Sequence, residues 1–191
     1  MTDTIRSTTA IPGYIAGTWD IDPVHTDVSF TVRHMMVSKV RGHFETFEGT
    51  VTTGADPLAS SVEVSVDLSS INTNNADRDN HIRSDDFFAV EQHPTLTYRS
   101  TGVRAAGDGY VVDGELTLHG VTKPVSLEVE VNGFGPDPFG GTRSGFSAKG
   151  EISRKDFDIS FDAPMEGGGV VVGDKVQIAI EAELILRSDE S

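Results

Sequence analysis

A chain of 191 residues with 37% hydrophobic content is long enough for one domain around a sizeable core. Its net charge of −15 excludes long-range attraction to nucleic acid or to an anionic membrane surface, because like charges repel. It contains no cysteine, which excludes disulfides, thiolate chemistry and Cys-ligated zinc and leaves the redox compartment open.

Residues 1–17 are rich in Ser and Thr and lack an apolar run long enough for a signal-peptide core. They are expected to form a mobile arm ahead of a single domain over 18–188, in a protein located in the cytoplasm. No later stretch is apolar enough to span a bilayer, so no membrane insertion is expected.

Val28, Phe30 and Val32 alternate with polar neighbours, which predicts a strand with one apolar face; His34 continues that face. Met35 to Val40 breaks the alternation, and Gly42 suggests a bend or bulge. A second strand is expected over Phe44–Val51, followed by a turn at Gly54-Ala55-Asp56-Pro57. Val62, Val64, Val66 and Leu68 alternate with polar residues and predict a half-buried strand. One short helical segment is expected near 74–92: Thr73 or Asn74 would cap it, Ala76–Arg83 are fair helix formers, and Ile82 would face inward with Phe87 or Phe88. His93-Pro94 ends it.

Leu96 and Tyr98 open the next strand, and Gly107-Asp108-Gly109 predicts a hairpin turn. Tyr110, Val112, Gly114, Leu116 and Leu118 line one face of its partner. A turn at Gly120–Pro124 precedes a strand through Val125–Val131, and Asn132–Ser144 is expected to be a loop. Phe146–Ile152 form a strand, Ser153–Ile159 a corner and Gly167-Gly168-Gly169 a loop. Val176, Ile178, Ile180, Ala182, Leu184 and Leu186 close the chain as a long strand. The pattern predicts an all-β, antiparallel barrel or sandwich; glycines inside strands (Gly49, Gly114, Gly150) favour a barrel.

Several of these stretches, taken in order, resemble the YceI-like family of polyisoprenoid-binding proteins. They are Trp19-Asp20-Ile21-Asp22 with His25, Val28-Ser29-Phe30 through His34, Gly42-His43-Phe44 with Gly49, and Ser70-Ile71-Asn72-Thr73. More specific are Arg78–Ser84 running into Asp86-Phe87-Phe88, and Leu116–Pro124; Ser153–Phe157 is the last. The resemblance implies a lipocalin-like antiparallel barrel around an apolar tube that holds a long isoprenoid chain, with no cofactor. It also implies a homodimer. Many family members are exported, and this chain departs from them in lacking a recognisable signal peptide. It also carries Asp158 where the family often has glycine.

The candidate ligand-binding residues are the inward rows and the capping segment. The rows are Phe30, Val32, His34, Phe44, Val64, Val66, Leu96, Tyr98, Leu116, Leu118, Ile178 and Ile180; the capping residues are Arg78, His81, Arg83, Phe87 and Phe88. Burial at roughly 0.8 kcal/mol per CH2 would hold a tail without specific polar contacts. Two basic clusters stand out: Arg33, His34, Lys39, Arg41 and His43; and Arg78, His81 and Arg83. Arg78, His81 or Arg83 would position a polar head group or hold the cap over the mouth. An ion-pair network of Arg78, Asp79 and Arg83 fastening the helix to the barrel is the favoured reading over a ligand role.

The six histidines are dispersed, with no His-x-x-x-His pair, so no metal site is assigned. Gly167–Lys175 lacks the Gly-Lys-Ser/Thr ending of a phosphate loop, and no serine has nucleophile-elbow context. The expected function is non-catalytic binding, transport or storage of a polyisoprenoid or other long-chain apolar lipid. One alternative is an enzyme acting on an isoprenoid or quinone lipid with Asp79 and His81 as base and acid. The other is a stress-response interaction module whose cavity is vestigial.

Overall fold

The computed structural model describes residues 11–35, 37–162 and 172–188. The strands are β1 (Gly17–Ile21), β2 (Asp27–His34), β3 (Ser38–Phe44), β4 (Phe47–Thr53), β5 (Ser61–Asp67) and β6 (Ile71–Asn72). After helix α1 (Ala76–Arg83) come β7 (Thr95–Ala106), β8 (Gly109–Leu118), β9 (Val121–Pro136), β10 (Thr142–Ser153) and β11 (Val172–Leu186). Every pairing is antiparallel.

The order β1–β4–β5–β7–β8–β9–β10–β11 closes on itself where β11 meets β1. One edge of β11 holds two strands in succession: β2 along Val172–Glu181 and β1 along Leu184–Leu186. β1 and β2 therefore form one interrupted stave, as do β4 with β3 and β5 with β6. The result is a closed, lipocalin-like antiparallel barrel of eight staves, each beside its neighbour in sequence. Closure pairs the long staves on both sides and leaves bare edges only locally, as at β6 and along Ser38–Gly42 of β3.

The interruptions have local causes. Between β1 and β2, the Thr26 hydroxyl replaces a backbone partner: it accepts from Glu183 N–H at 3.1 Å and donates to Glu183 C=O at 3.3 Å. The next two breaks adjoin each other, with Thr46 N–H donating to Ser70 Oγ at 3.0 Å. Beyond Asp67 the third stave leaves β7, and residues 73–94 fill the gap.

The sequence periodicity missed one strand. Residues Ser38–His43 pair in register with Ser29–His34, so Gly42 marks no bulge. It leaves room for a ring: a Cβ there would sit 2.5 Å from Phe30 Cζ. The region expected as a loop over Asn132–Ser144 is mostly strand, with only Asp137–Gly141 between β9 and β10. The turn placed at Gly120–Pro124 is the pair His119-Gly120, both at positive φ (56° and 74°), a tight hairpin of type I′. The glycines at 167–169 lie outside the described residues.

Helix α1 spans the expected residues but is capped by Asn75, whose side chain accepts from Arg78 N–H. It is fastened to β6 by hydrogen bonds rather than ion pairs. The Asp79 carboxylate accepts from Thr73 N–H (2.9 Å) and Thr73 Oγ1 (2.5 Å). Arg78 donates to Thr73 Oγ1 at 2.8 Å and to Thr73 C=O at 2.7 Å. Arg83 donates to Ser69 C=O, Ile71 C=O and Asn80 Oδ1. Ile82, Phe87, Phe88 and Val90 pack on the buried cluster of Phe44, Leu68, Ile71, Leu116, Leu118, Phe157 and Ile159. This end of the barrel is therefore solid.

At the corner after β10, Asp158 takes the left-handed conformation (φ 58°) that ends the 3-10 turn Arg154–Phe157. The turn is one glycine makes without strain.

Removing the Arg83 donors with Arg83→Ala is expected to cost about 1–3 kcal/mol, read as a lower midpoint in urea unfolding. An unchanged midpoint would mean that the apolar face and the Asp79 and Arg78 bonds to Thr73 hold the helix without Arg83. Asp158→Gly is expected to raise the melting temperature by relieving a backbone cost on the order of 1 kcal/mol. A fall would give the aspartate side chain a stabilising role of its own.

Candidate functional site

Above the solid end the barrel is hollow. A cavity of about 250 Å³ lies among the inward rows, lined almost wholly by carbon. Along β11 the lining runs from Ile178 to Leu184, roughly 20 Å at about 3.3 Å per residue. Phe44, Val66 and Leu116 touch the chamber but also belong to the buried cluster, whereas Val28, Val64, Val112, Ile178 and Ile180 on the same lining are only half-buried.

Of the candidate binding residues, Phe30, Phe44, Val64, Val66, Leu96, Tyr98, Leu116, Ile178 and Ile180 lie on this lining. Val32, His34, Leu118, Arg78, His81, Arg83, Phe87 and Phe88 do not. Leu118 and Phe88 belong to the packing beneath the chamber; Phe88 continues a stack in which Phe30 and Phe44 lie 5.7 Å apart and Phe44 and Phe88 6.2 Å apart. His81 sits outside, its Nε2 2.8 Å from Asp86 Oδ2 and its ring 5.0 Å from both Phe87 and Phe161. Asp79 is buried with its carboxylate turned to Thr73.

The lining hydroxyls explain why the chamber is apolar despite its Ser, Thr and Tyr. Tyr98 donates to Val125 C=O at 2.8 Å, and burial, with Asp113 nearby, pushes its pKa up to about 12. Gly114 makes room for that ring: a Cβ there would stand 2.5 Å from Tyr98 Cζ. Ser29 donates to Ala179 C=O, Thr53 to Ile15 C=O and Tyr14 to Gly54 C=O. The side-chain oxygens of Ser61 and Tyr110 are the lining hydroxyls with no hydrogen-bond partner given among the described residues. Both belong to the end opposite α1.

That opposite end carries a cover that periodicity did not reveal. Ile11 and Tyr14 reach the lining, the Tyr14 hydroxyl is 2.6 Å from Gly54 C=O, and its ring stacks edge-on at 5.3 Å against Phe134. Phe134 in turn contacts Trp19 and Phe146, at 5.5 and 5.9 Å between ring centres. The described part of the N-terminal arm is thus docked across this end, while α1 covers the packed one. A lone Tyr in a Ser/Thr-rich arm gives no pattern from which this could be read.

A polar cluster lies at the break between β1 and β2. Arg143 bridges Asp22 (2.7 Å) and Asp137 (2.6 Å), and His25 Nδ1 is 2.7 Å from Asp22 Oδ2. The ligand atoms of Asp22, His25 and Glu183 lie within 4.8 Å of one another, but the Arg143 guanidinium already supplies the positive charge such a set would attract. Arg143, followed by His25, holds the Asp22 carboxyl down at about 2. Asp22, then Glu183, raises the pKa of His25.

A closed barrel of eight sequential antiparallel staves, solid at one end and dry and hollow above, defines the lipocalin-like class of binding barrels. Within that class the chain belongs to the YceI-like family: residues 19–184 match the YceI-like domain. It is 44% identical over 144 residues to Protein YceI of Escherichia coli O17:K52:H18, covering 75% of each chain. The Campylobacter jejuni YCEI protein superposes with a TM-score of 0.69 at 30% identity, over 87% of this chain and 96% of that one. A polyisoprenoid binding domain from Saccharophagus degradans shares the fold with a TM-score of 0.65 at 15% identity, over 88% and 98% of the two chains.

The polar cluster sets a pH signature. The raised His25 pKa stabilises fully below its unfolded value of roughly 6.5 and is lost as pH rises through the folded value. The lowered Asp22 pKa stabilises above roughly 3.9 and is lost as pH falls toward about 2. Both act together between roughly pH 4 and 6.5. His25→Gln is therefore expected to lower the melting temperature at pH 5 and to have little effect at pH 9. An equal effect at both pH values would remove His25 from the cluster's energetics.

Proposed function

We propose that the protein binds an apolar chain of isoprenoid type inside its barrel and carries or stores it without altering it. The observation that carries this reading is the apolar chamber, in which the Tyr14, Ser29, Thr53 and Tyr98 hydroxyls are spent on backbone carbonyls. Such a wall offers a ligand dispersion and relief from water, with no polar group aimed at a reacting atom. The S. degradans domain of the same fold, described as polyisoprenoid-binding, supports the choice of chain.

Size bears on the ligand. A volume of about 250 Å³ falls just under the roughly 300–1,000 Å³ usual for small-molecule pockets. A short prenyl segment fits as the barrel stands; a longer chain extends past Ser61 and Tyr110 or displaces the Tyr14 cover. Each methylene buried contributes about 0.8 kcal/mol before the cost of association. Affinity should therefore rise with chain length until the lining is covered.

Ala148 and Ala182 are small residues on the lining. Filling the space with Ala148→Phe is expected to weaken binding of a fluorescent prenyl alcohol by at least about 10-fold, while the melting temperature stays near wild type. Titration of delipidated protein checks this. Undiminished affinity in a folded variant would place the ligand somewhere other than the chamber and overturn the reading.

A further inference from the structure

The turn joining β2 and β3 projects from the α1 end of the barrel and has a chemistry unlike the rest of the molecule. Val37 is 87% exposed and Met35 is 42% exposed, with Met35 at φ 53°. Behind them, Arg33 stands directly opposite Lys39, and Arg41 is the next outward residue of β3. All three cations are exposed. Like charges directly opposite each other destabilise a strand pair, yet none of the three has a carboxylate partner among the described residues. Nearby acids are engaged elsewhere. Glu45 accepts from Asn72 and faces His43, and Asp174 accepts from Ser153 Oγ and Lys155 N–H.

A chain with 30 acidic and 15 basic residues could readily neutralise such a cluster. It instead leaves three cations together beneath an exposed apolar tip. We propose that this hairpin is a peripheral docking element for an anionic lipid surface. Val37 and Met35 enter the headgroup boundary, while Arg33, Lys39 and Arg41 meet lipid phosphates. No described helix is long and apolar enough to cross a membrane, and docking of this kind needs none.

The net charge of −15 opposes approach at long range. At physiological ionic strength the Debye length is roughly 8 Å, so the surface feels the tip and little of the distant acidic wall. The tip lies at the opposite end of the barrel from Ser61 and Tyr110. Docking by it is an anchor, not an entry port, and stands independently of what the chamber holds.

Co-sedimentation of the full chain with vesicles tests the proposal, using phosphatidylcholine with and without phosphatidylglycerol at near-physiological salt. Binding is expected only when phosphatidylglycerol is present. A cation near such a surface is worth roughly a factor of five in partitioning, so Lys39→Glu should cost on the order of 10-fold or more. Val37→Asp should weaken binding as well. Lys149→Glu, the same charge change on the barrel wall, should leave it nearly unchanged. Melting curves confirm that each variant folds, and Arg41→Glu replaces Lys39→Glu if that variant does not. Absence of binding to phosphatidylglycerol vesicles, or an equal loss with Lys149→Glu, would overturn the proposal. So would a dimer seen by sedimentation velocity without vesicles and dispersed by Val37→Asp, which would assign the tip to a second copy of the chain.

Discussion

The pairing of β11 with both β1 and β2 turns a sheet into a vessel. One fifteen-residue strand serves as the seam for a stave made of two pieces. The interruption at Asp22–Thr26 is tolerated because Thr26 supplies the hydrogen bonds that a continuous backbone would have made. Arg143 and its acids then hold the loop against β10 and β11. Without this seam the inward rows of Val, Ile and Leu would belong to an open sheet with two bare edges.

Closure also explains how a chamber coexists with a stable core. The two occupy different heights of the same barrel. At the α1 end the third stave departs from β7, and residues 73–94 fill the gap with Ile82, Phe87, Phe88 and Val90. Packing there provides much of the stability. The middle is then free to stay open. A barrel of about eight strands has an interior that side chains can just fill or that can hold one small ligand. Ala148 and Ala182 stand on the hollow stretch, and Leu118 and Phe157 at the solid end.

Charge is divided as unevenly as packing. Several cations elsewhere on the described surface are matched, as with Arg104 and Asp113 or Arg187 and Asp20. The β2–β3 tip is not matched. A single net-charge figure averages over this difference. It describes the molecule seen from beyond a Debye length and gives a poor account of any one face.

The antiparallel all-β class and the helix over Ala76–Arg83 were legible in the sequence, because period-two alternation and helix-forming chemistry are local properties. So was much of the lining: Phe30, Val64, Tyr98, Leu116 and Ile180 fall on it because alternate residues of a half-buried strand must share a face. Residues 38–44 escaped, since a strand with Lys39, Arg41 and Gly42 shows no clean alternation; its register comes from Ser29–His34 across the hairpin. What only tertiary structure decided is which inward side chains meet something. Leu118 and Ile180 look alike along the chain, yet one is packed and the other faces space. The cover at the open end is likewise long-range, since Tyr14 finds Gly54 and Phe134 only after the barrel has closed. Alternation sets the direction of a side chain; how much room lies ahead of it depends on strands far away in sequence.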